Sequence, residues 1–250
     1  MNKKLKIGIF TWYNKRYSNF GNIYYQINKK YCEKHGYTMH KCDIERITYP
    51  RTKHWERYAL LEEHLKYDYD YLVWIDADAY IYNDSPPLEN IINLYDNKTF
   101  ILSGAYDRYN SQYLNNEEHS NINSGFFIVK NNNFTKYFLK EIYTNMEWHK
   151  MKSNRWYDQA VLRYLYINNI DNFKDISIII PYPILQCFPK CNPFFQPLSK
   201  NIFEKYIKPY FIKFNINKPL ISHSVGSSND ERITFSQQYL NEINKNADNK

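Results

Sequence analysis

Asp76 and Asp78 stand two residues apart behind an apolar run, Tyr71-Leu72-Val73-Trp74-Ile75, with only Ala77 between them. Paired carboxylates are hard oxygen donors suited to a divalent cation, and a phosphate ester is the usual second partner of such a cation. In an extended segment, positions i and i+2 point to one side, so this spacing predicts both carboxylates facing one ligand. The run lacks polar alternation, which fits a strand covered on both faces in a parallel sheet. Ligands of such sheets gather at the carboxyl ends of the strands. A bare Asp-x-Asp also recurs by accident, one aspartate capping a turn and the other solvated, so the rest of the chain must decide its meaning.

The elements needed to position the pair alternate in kind. Residues 5–11 read as a first strand running into Thr11-Trp12-Tyr13-Asn14, where aromatics could stack on a base or simply pack. Phe20, Ile23, Tyr24, Ile27 and Tyr31 recur at helical spacing before Gly36, and residues 37–40 resume as a strand. This strand, helix, strand order predicts an α/β fold with a mostly parallel central sheet. A second helix opens at Thr52 or Lys53 with Trp55, Tyr58, Leu61 and Leu65 on one side; Lys53 could reach a diphosphate or be solvated at the helix end. Asn83 to Pro87 is turn chemistry before a short helix, and residues 99–105 form another strand. The polar stretch 106–121 has no periodicity and is long for a connection, which marks it as a lid or acceptor loop.

Further along, Asn123-Ser124-Gly125 opens the strand 122–129, and Gly125 would let a ligand approach the backbone. A helix over about 134–148 follows. Asp158-Gln159 then opens another helix, where Asp158 is either a cap and dipole partner or a site residue. Short strands at 177–180 and 184–188 flank Pro181 and Pro183. A last strand, 220–226, ends in His223-Ser224-Val225-Gly226, and a tail helix that frays runs from Asn229. These boundaries give one domain over residues 1–228 and a helical tail over 229–250.

Composition narrows the class. With 250 residues, 43% apolar and 18% aromatic, the chain can bury a sizeable core. The net charge of +7 is scattered and would draw anionic substrates such as nucleotide diphosphates. A nucleic-acid partner would want a basic stripe or a recognised motif, and neither is found. The short apolar run at 5–11 predicts no signal peptide and no transmembrane anchor. Cys32, Cys42, Cys187 and Cys191 form no CxxC pair and read as reduced thiols, which agrees with a cytoplasmic setting.

Taken together, the Asp-x-Asp behind an apolar strand, the Asn-Ser-Gly strand, the Trp156-x-Asp158-Gln159 helix start and the late His223-x-x-Gly226 resemble nucleotide-sugar glycosyltransferases of the GT-A fold. More narrowly, the pattern is similar to the GMA12/MNN10-type galactosyl-, mannosyl- and xylosyltransferases, over roughly residues 5–227. The resemblance implies that Asp76, Asp78 and His223 hold Mn²⁺, with Mg²⁺ as a substitute, against the diphosphate of a UDP-sugar. It implies that Phe10, Thr11, Trp12 and Tyr13 line the nucleoside pocket, with Lys53, Ala77 and Gly226 also at the donor. Asn123, Ser124 and Gly125 would face the donor sugar. Asp158 and Gln159 would act beside the anomeric carbon, and Asp107, Glu117 or Glu118 could meet the acceptor. The implied reaction moves a hexose or pentose to a glycan, lipid or protein acceptor with retention.

Many eukaryotic members carry an N-terminal anchor, so its expected absence argues against a Golgi enzyme and for a bacterial or viral one. Two other readings remain at this point: a nucleotide- or sugar-binding module without catalysis, and a nucleotidyltransferase. The latter would want a glycine-rich phosphate loop, which Gly8 and Gly21 do not make.

Overall fold

Strand β3 (Tyr71–Ile75) is buried at all five positions, and the molecule is built outward from it. A computed structural model of the chain describes residues 4–42, 45–46, 52–105, 121–145, 147–148, 157–187 and 203–248. β3 pairs in parallel with β1 (Ile7–Trp12), which pairs in parallel with β2 (Thr38–Cys42). On its other side β3 pairs antiparallel with β6 (Ile122–Lys130). β6 in turn meets β5 (Phe100–Gly104) antiparallel, and β5 meets β7 (Ser177–Ile180) in parallel. The six-stranded order is β2-β1-β3-β6-β5-β7, with β6 the strand that runs against the rest, so the sheet is mostly parallel as expected.

Side chains alternate across this sheet, and each face buries its own cluster. Ile7, Ile9, Val73, Ile75, Ile101 and Ile128 face a core shared with Tyr31 and Cys32 of α1 (Ser18–His35) and Phe211 and Phe214 of α6 (Lys208–Phe214). Phe10, Leu72, Trp74, Leu102 and Val129 point the other way. They meet Tyr58 and Leu61 of α2 (Glu56–His64), Phe138 of α4 (Asn133–Thr144) and Val161 of α5 (Tyr157–Ile167). Each such side chain contributes roughly 1.5–3 kcal/mol by leaving water, and this two-faced burial is why β3 reads as a continuous apolar run. α1 stops where Gly36 takes φ 75°, and its N–H returns to the Cys32 carbonyl. A short α3 (Glu89–Ile92) follows the Asn83 to Pro87 turn.

A second sheet takes the chain out of the first. β4 (Ala79–Ile81) pairs antiparallel with β9 (Ile221–His223), which pairs in parallel with β8 (Gln186–Cys187). The final helix α7 (Asn229–Asp248) is docked: Leu240 and Ile243 are buried with Phe20, Tyr24 and Ile27 of α1, and Tyr239 stacks on Tyr80 at 4.7 Å. Among the described residues no helix is long and apolar enough to cross a membrane. Cys32, Cys42 and Cys187 are buried, and Cys191 lies outside the described residues.

Candidate active site

The two aspartates sit where the chain leaves one sheet for the other. Asp76 N–H donates to the Gly125 carbonyl at 2.8 Å, a last rung between β3 and β6, and Ala79 N–H closes back on the Asp76 carbonyl at 3.0 Å. Residues 76–78 are therefore a tight turn and not the extended segment that the i, i+2 argument assumed. The turn converges the carboxylates, and β9 brings a third group. Ala79 is in register with His223, and Ser224 N–H donates to the Asp78 carbonyl at 2.9 Å. His223 Nε2 lies 3.3 Å from Asp78 Oδ1 and 3.9 Å from Asp76 Oδ2. One ligand atom from each of Asp76, Asp78 and His223 falls within 4.8 Å of the others, so the three could hold one cation.

The imidazole is oriented from behind. His223 Nδ1 is 3.0 Å from Oε1 of buried Gln186 on β8; with that carbonyl as acceptor, Nδ1 carries the hydrogen and Nε2 turns its lone pair to the aspartates. A mixed oxygen and imidazole donor set suits manganese better than calcium. Gly125 serves this arrangement in a way the sequence did not suggest. A Cβ there would overlap the His223 ring, with Nδ1 2.8 Å away, so the glycine makes room for the imidazole.

Two arginines, neither anticipated, hold the aspartates. Arg57 on α2 is 6% exposed and reaches in five directions. Its Nε donates to the His54 carbonyl at 3.0 Å, and its Nη1 donates to the Ser124 hydroxyl at 2.6 Å and to the Ser124 carbonyl. Its Nη2 lies 3.3 Å from Asp76 Oδ1, and its Nε 3.6 Å from Asp158 Oδ2. Burial alone would push its pKa down, but Asp158 and Asp76 outweigh that and hold it above the ordinary arginine value. Trp74 Nε1 donates to Asp76 Oδ1 at 2.7 Å, beneath the guanidinium. The second arginine, Arg232 on α7, places Nη2 2.9 Å from Asp78 Oδ2. Burial raises the Asp78 pKa, yet its hydrogen bond and attraction to His223, with the charge of Arg232, bring it below the usual aspartate value.

Asp158 opens α5 and is 1% exposed. Tyr58 donates to its Oδ2 at 2.8 Å, and burial together with Asp158 lifts the Tyr58 pKa well above its ordinary value. Its other oxygen, Oδ1, is buried with no hydrogen-bond partner among the described residues. An acceptor left open in a buried site is costly unless something else fills it. Gln159 beside it is half-buried, as are Ala77 and Asn123, whose Oδ1 accepts from the Gly125 N–H at 2.8 Å.

Several expected donor contacts are placed elsewhere. Phe10 is fully buried, stacked on His40 at 4.6 Å and beside His64, so its ring is core and not pocket wall. Thr11 is buried, and Tyr13 lies against Gly21 with its hydroxyl donating to Asn22 at 2.8 Å; of the four, Trp12 keeps substantial exposure. Lys53, just before α2, is 41% exposed and pairs with Glu45 at 2.7 Å and Glu56 at 3.8 Å. Gly226 adopts φ 73° in the turn after β9, and a Cβ there would meet nothing, so only the backbone angle asks for glycine. Trp156 and the loop carboxylates Asp107, Glu117 and Glu118 lie outside the described residues.

With this geometry established, the comparisons with known proteins agree among themselves. A glycosyltransferase involved in the glycosylation of the major capsid of PBCV-1 superposes with a TM-score of 0.63 at 17% identity, covering 93% of this chain and 99% of that one. The galactosyltransferase LgtC, solved with donor and acceptor sugar analogs, gives 0.57 at 11% identity over 92% and 95% of the two chains. GlyE of Streptococcus pneumoniae TIGR4 gives 0.52 at 14%, covering 97% of this chain and 64% of that one. At such identities these likenesses establish the fold, a single GT-A domain. No curated protein sequence matches the chain. Residues 10–223, the span from the end of β1 to the histidine of β9, match the galactosyl transferase GMA12/MNN10 family, and the chain belongs to that family of nucleotide-sugar glycosyltransferases.

Proposed function

We propose that this glycosyltransferase uses a divalent cation, manganese by preference, to transfer a hexosyl or pentosyl group from a UDP-sugar to a hydroxyl of a glycan, lipid or protein acceptor, with retention. The observation that carries the reading is the convergence of Asp76, Asp78 and His223 from two sheets onto one point. When bound there, the cation supplies a Lewis acid that offsets charge on the departing diphosphate. The protein's own residues do the rest. Gln186 holds the His223 tautomer that leaves Nε2 available. Arg57 lets two carboxylates, Asp76 and Asp158, share a dry site without repelling one another. On this reading Oδ1 of Asp158, which has no hydrogen-bond partner among the described residues, is the acceptor for a donor-sugar hydroxyl, and the neighbouring Gln159 acts beside the anomeric carbon. In a retaining transfer the acceptor oxygen enters on the face the diphosphate leaves, so a group holding the sugar from the opposite side is what the chemistry needs.

Calorimetric titration of UDP and GDP, with Mn²⁺ and with chelator, tests the donor. Manganese-dependent binding of UDP alone is expected, followed by turnover of one UDP-sugar in an acceptor screen. Asp158→Asn should cut kcat by about 100-fold or more, the scale of losing a contact made at the reacting centre, while UDP affinity holds. Tight UDP binding with no turnover of any sugar would favour a binding module instead.

A further inference from the structure

We infer that Arg232 is a built-in counter-charge of the metal site: its guanidinium pairs with Oδ2 of Asp78 beside the Oδ1 that faces His223, and its positive charge holds down the affinity of the site for a cation. A cation on Oδ1 therefore repels the guanidinium on Oδ2 and weakens the tie between Asp78 and the first turns of α7. The inference rests on reading Asp76, Asp78 and His223 as the metal ligands.

The oxygen atoms make the conflict plain. Oδ1 of Asp76 is taken by Trp74 at 2.7 Å and Arg57 at 3.3 Å, leaving Oδ2 to face His223. Oδ1 of Asp78 faces His223 at 3.3 Å, and Oδ2 is held by Arg232 at 2.9 Å. A divalent cation on Asp78 would put it and a guanidinium on the same carboxylate, with that side chain only 16% exposed, where water screens such repulsion poorly.

Arg232 is 18% exposed, its guanidinium lies over the ring of Phe20 at 5.1 Å, and its Nη1 donates to Asn229 Oδ1 at 3.3 Å. Its Nε is buried with no hydrogen-bond partner among the described residues, so the paired pose leaves one donor unsatisfied. α7 keeps its other anchors when the pair breaks, since Leu240, Ile243 and Tyr239 pack without reference to Asp78.

The test is direct Mn²⁺ binding to the full chain without nucleotide, read as free Mn²⁺ by electron paramagnetic resonance. Arg232→Met keeps the stem and removes the charge; it should tighten Mn²⁺ about tenfold, or roughly 1.4 kcal/mol, whereas Arg232→Lys should stay within about threefold of the parent. Unchanged or weaker binding in Arg232→Met, with the parent binding normally, overturns the competition and leaves the metal assignment standing. Binding by neither protein overturns both. If Arg232→Met does not fold, amide exchange on the parent protein decides: Mn²⁺ should speed exchange in the first two turns of α7, and slowed or unchanged exchange there sinks the inference.

Discussion

Arg57 and Arg232 neutralise neighbouring aspartates of one turn, yet they belong to different kinds of structure. Arg57 is sunk between α2, β3, β6 and α5, with its side chain 7% exposed and its donors shared among two carboxylates, a hydroxyl and two carbonyls. Arg232, on the helix that follows the site, pairs with one carboxylate, donates from Nη1 to Asn229 Oδ1 at 3.3 Å, lies over Phe20, and leaves Nε without a hydrogen-bond partner among the described residues. The difference divides the site into a half that is finished before any ligand arrives and a half whose charges can rearrange. Asp158, proposed above to hold the donor sugar, belongs to the first. Asp78, proposed above as a cation ligand, belongs to the second.

The widest test of that division is removal of Arg57. Arg57→Met would strand Asp158 at 1% exposure without a cation, and unpairing a buried charge costs roughly 3–5 kcal/mol. Urea unfolding should register that loss, and Arg57→Lys should recover little, because one ammonium cannot span Asp76, Asp158 and Ser124 together. If Arg57→Met is no worse than Arg232→Met, the two halves are not different in kind.

Gly125→Ala probes the boundary between them. The new Cβ would overlap the His223 ring, forcing the imidazole away from Gln186 and the aspartates. Overpacking of this sort costs about 1–3 kcal/mol, and a misaligned ligand costs about 10–100-fold in metal affinity. Mn²⁺ titration beside urea unfolding separates the two effects. Intact Mn²⁺ affinity would mean that His223 is not a ligand.

How far the sequence reveals this division follows from which interactions are local. β3 and the cluster of Asp76, Asp78 and His223 are legible because an apolar run, a paired acid and a His-x-x-Gly turn each leave a mark within a few residues. The turn at 76–78 is not, since the same Asp-Ala-Asp fits an extended chain until Ala79 is seen pairing with His223 in a second sheet. Phe10 and Tyr13 mislead for a related reason: an aromatic at a strand end looks the same whether it lines a pocket or, as here, is claimed by His40 or Gly21. Arg57 is the least legible. A charged residue beside an apolar helical stripe reads as solvated, and what buries it is Asp158, about a hundred positions away and itself readable as a mere helix cap. Arg232 follows the same rule, its partner lying across the junction of two sheets.

The smallest effect expected is on the acid side of the stability curve in the metal-free protein, and it concerns Arg232. Asp78 is held below its ordinary pKa of 3.8, so the stability it adds is present above that value and is lost as pH falls through the lowered one. His223 and Arg232 both contribute to that lowering against the opposing effect of burial. Arg232→Met removes one of them, so Asp78 should take up its proton at higher pH, and the urea midpoint should begin to fall earlier on acidification. Because His223 still faces Asp78 once Arg232 is gone, the loss near neutral pH should stay well below the roughly 3–5 kcal/mol of a fully stranded buried charge. Parent and variant curves that coincide from neutral pH down to about 3 would mean that His223 alone sets the charge of Asp78. A fall of several kcal/mol at neutral pH would instead place Arg232 with Arg57, as a fixed member of the core, and the distinction between a finished half and a rearranging half would go with it.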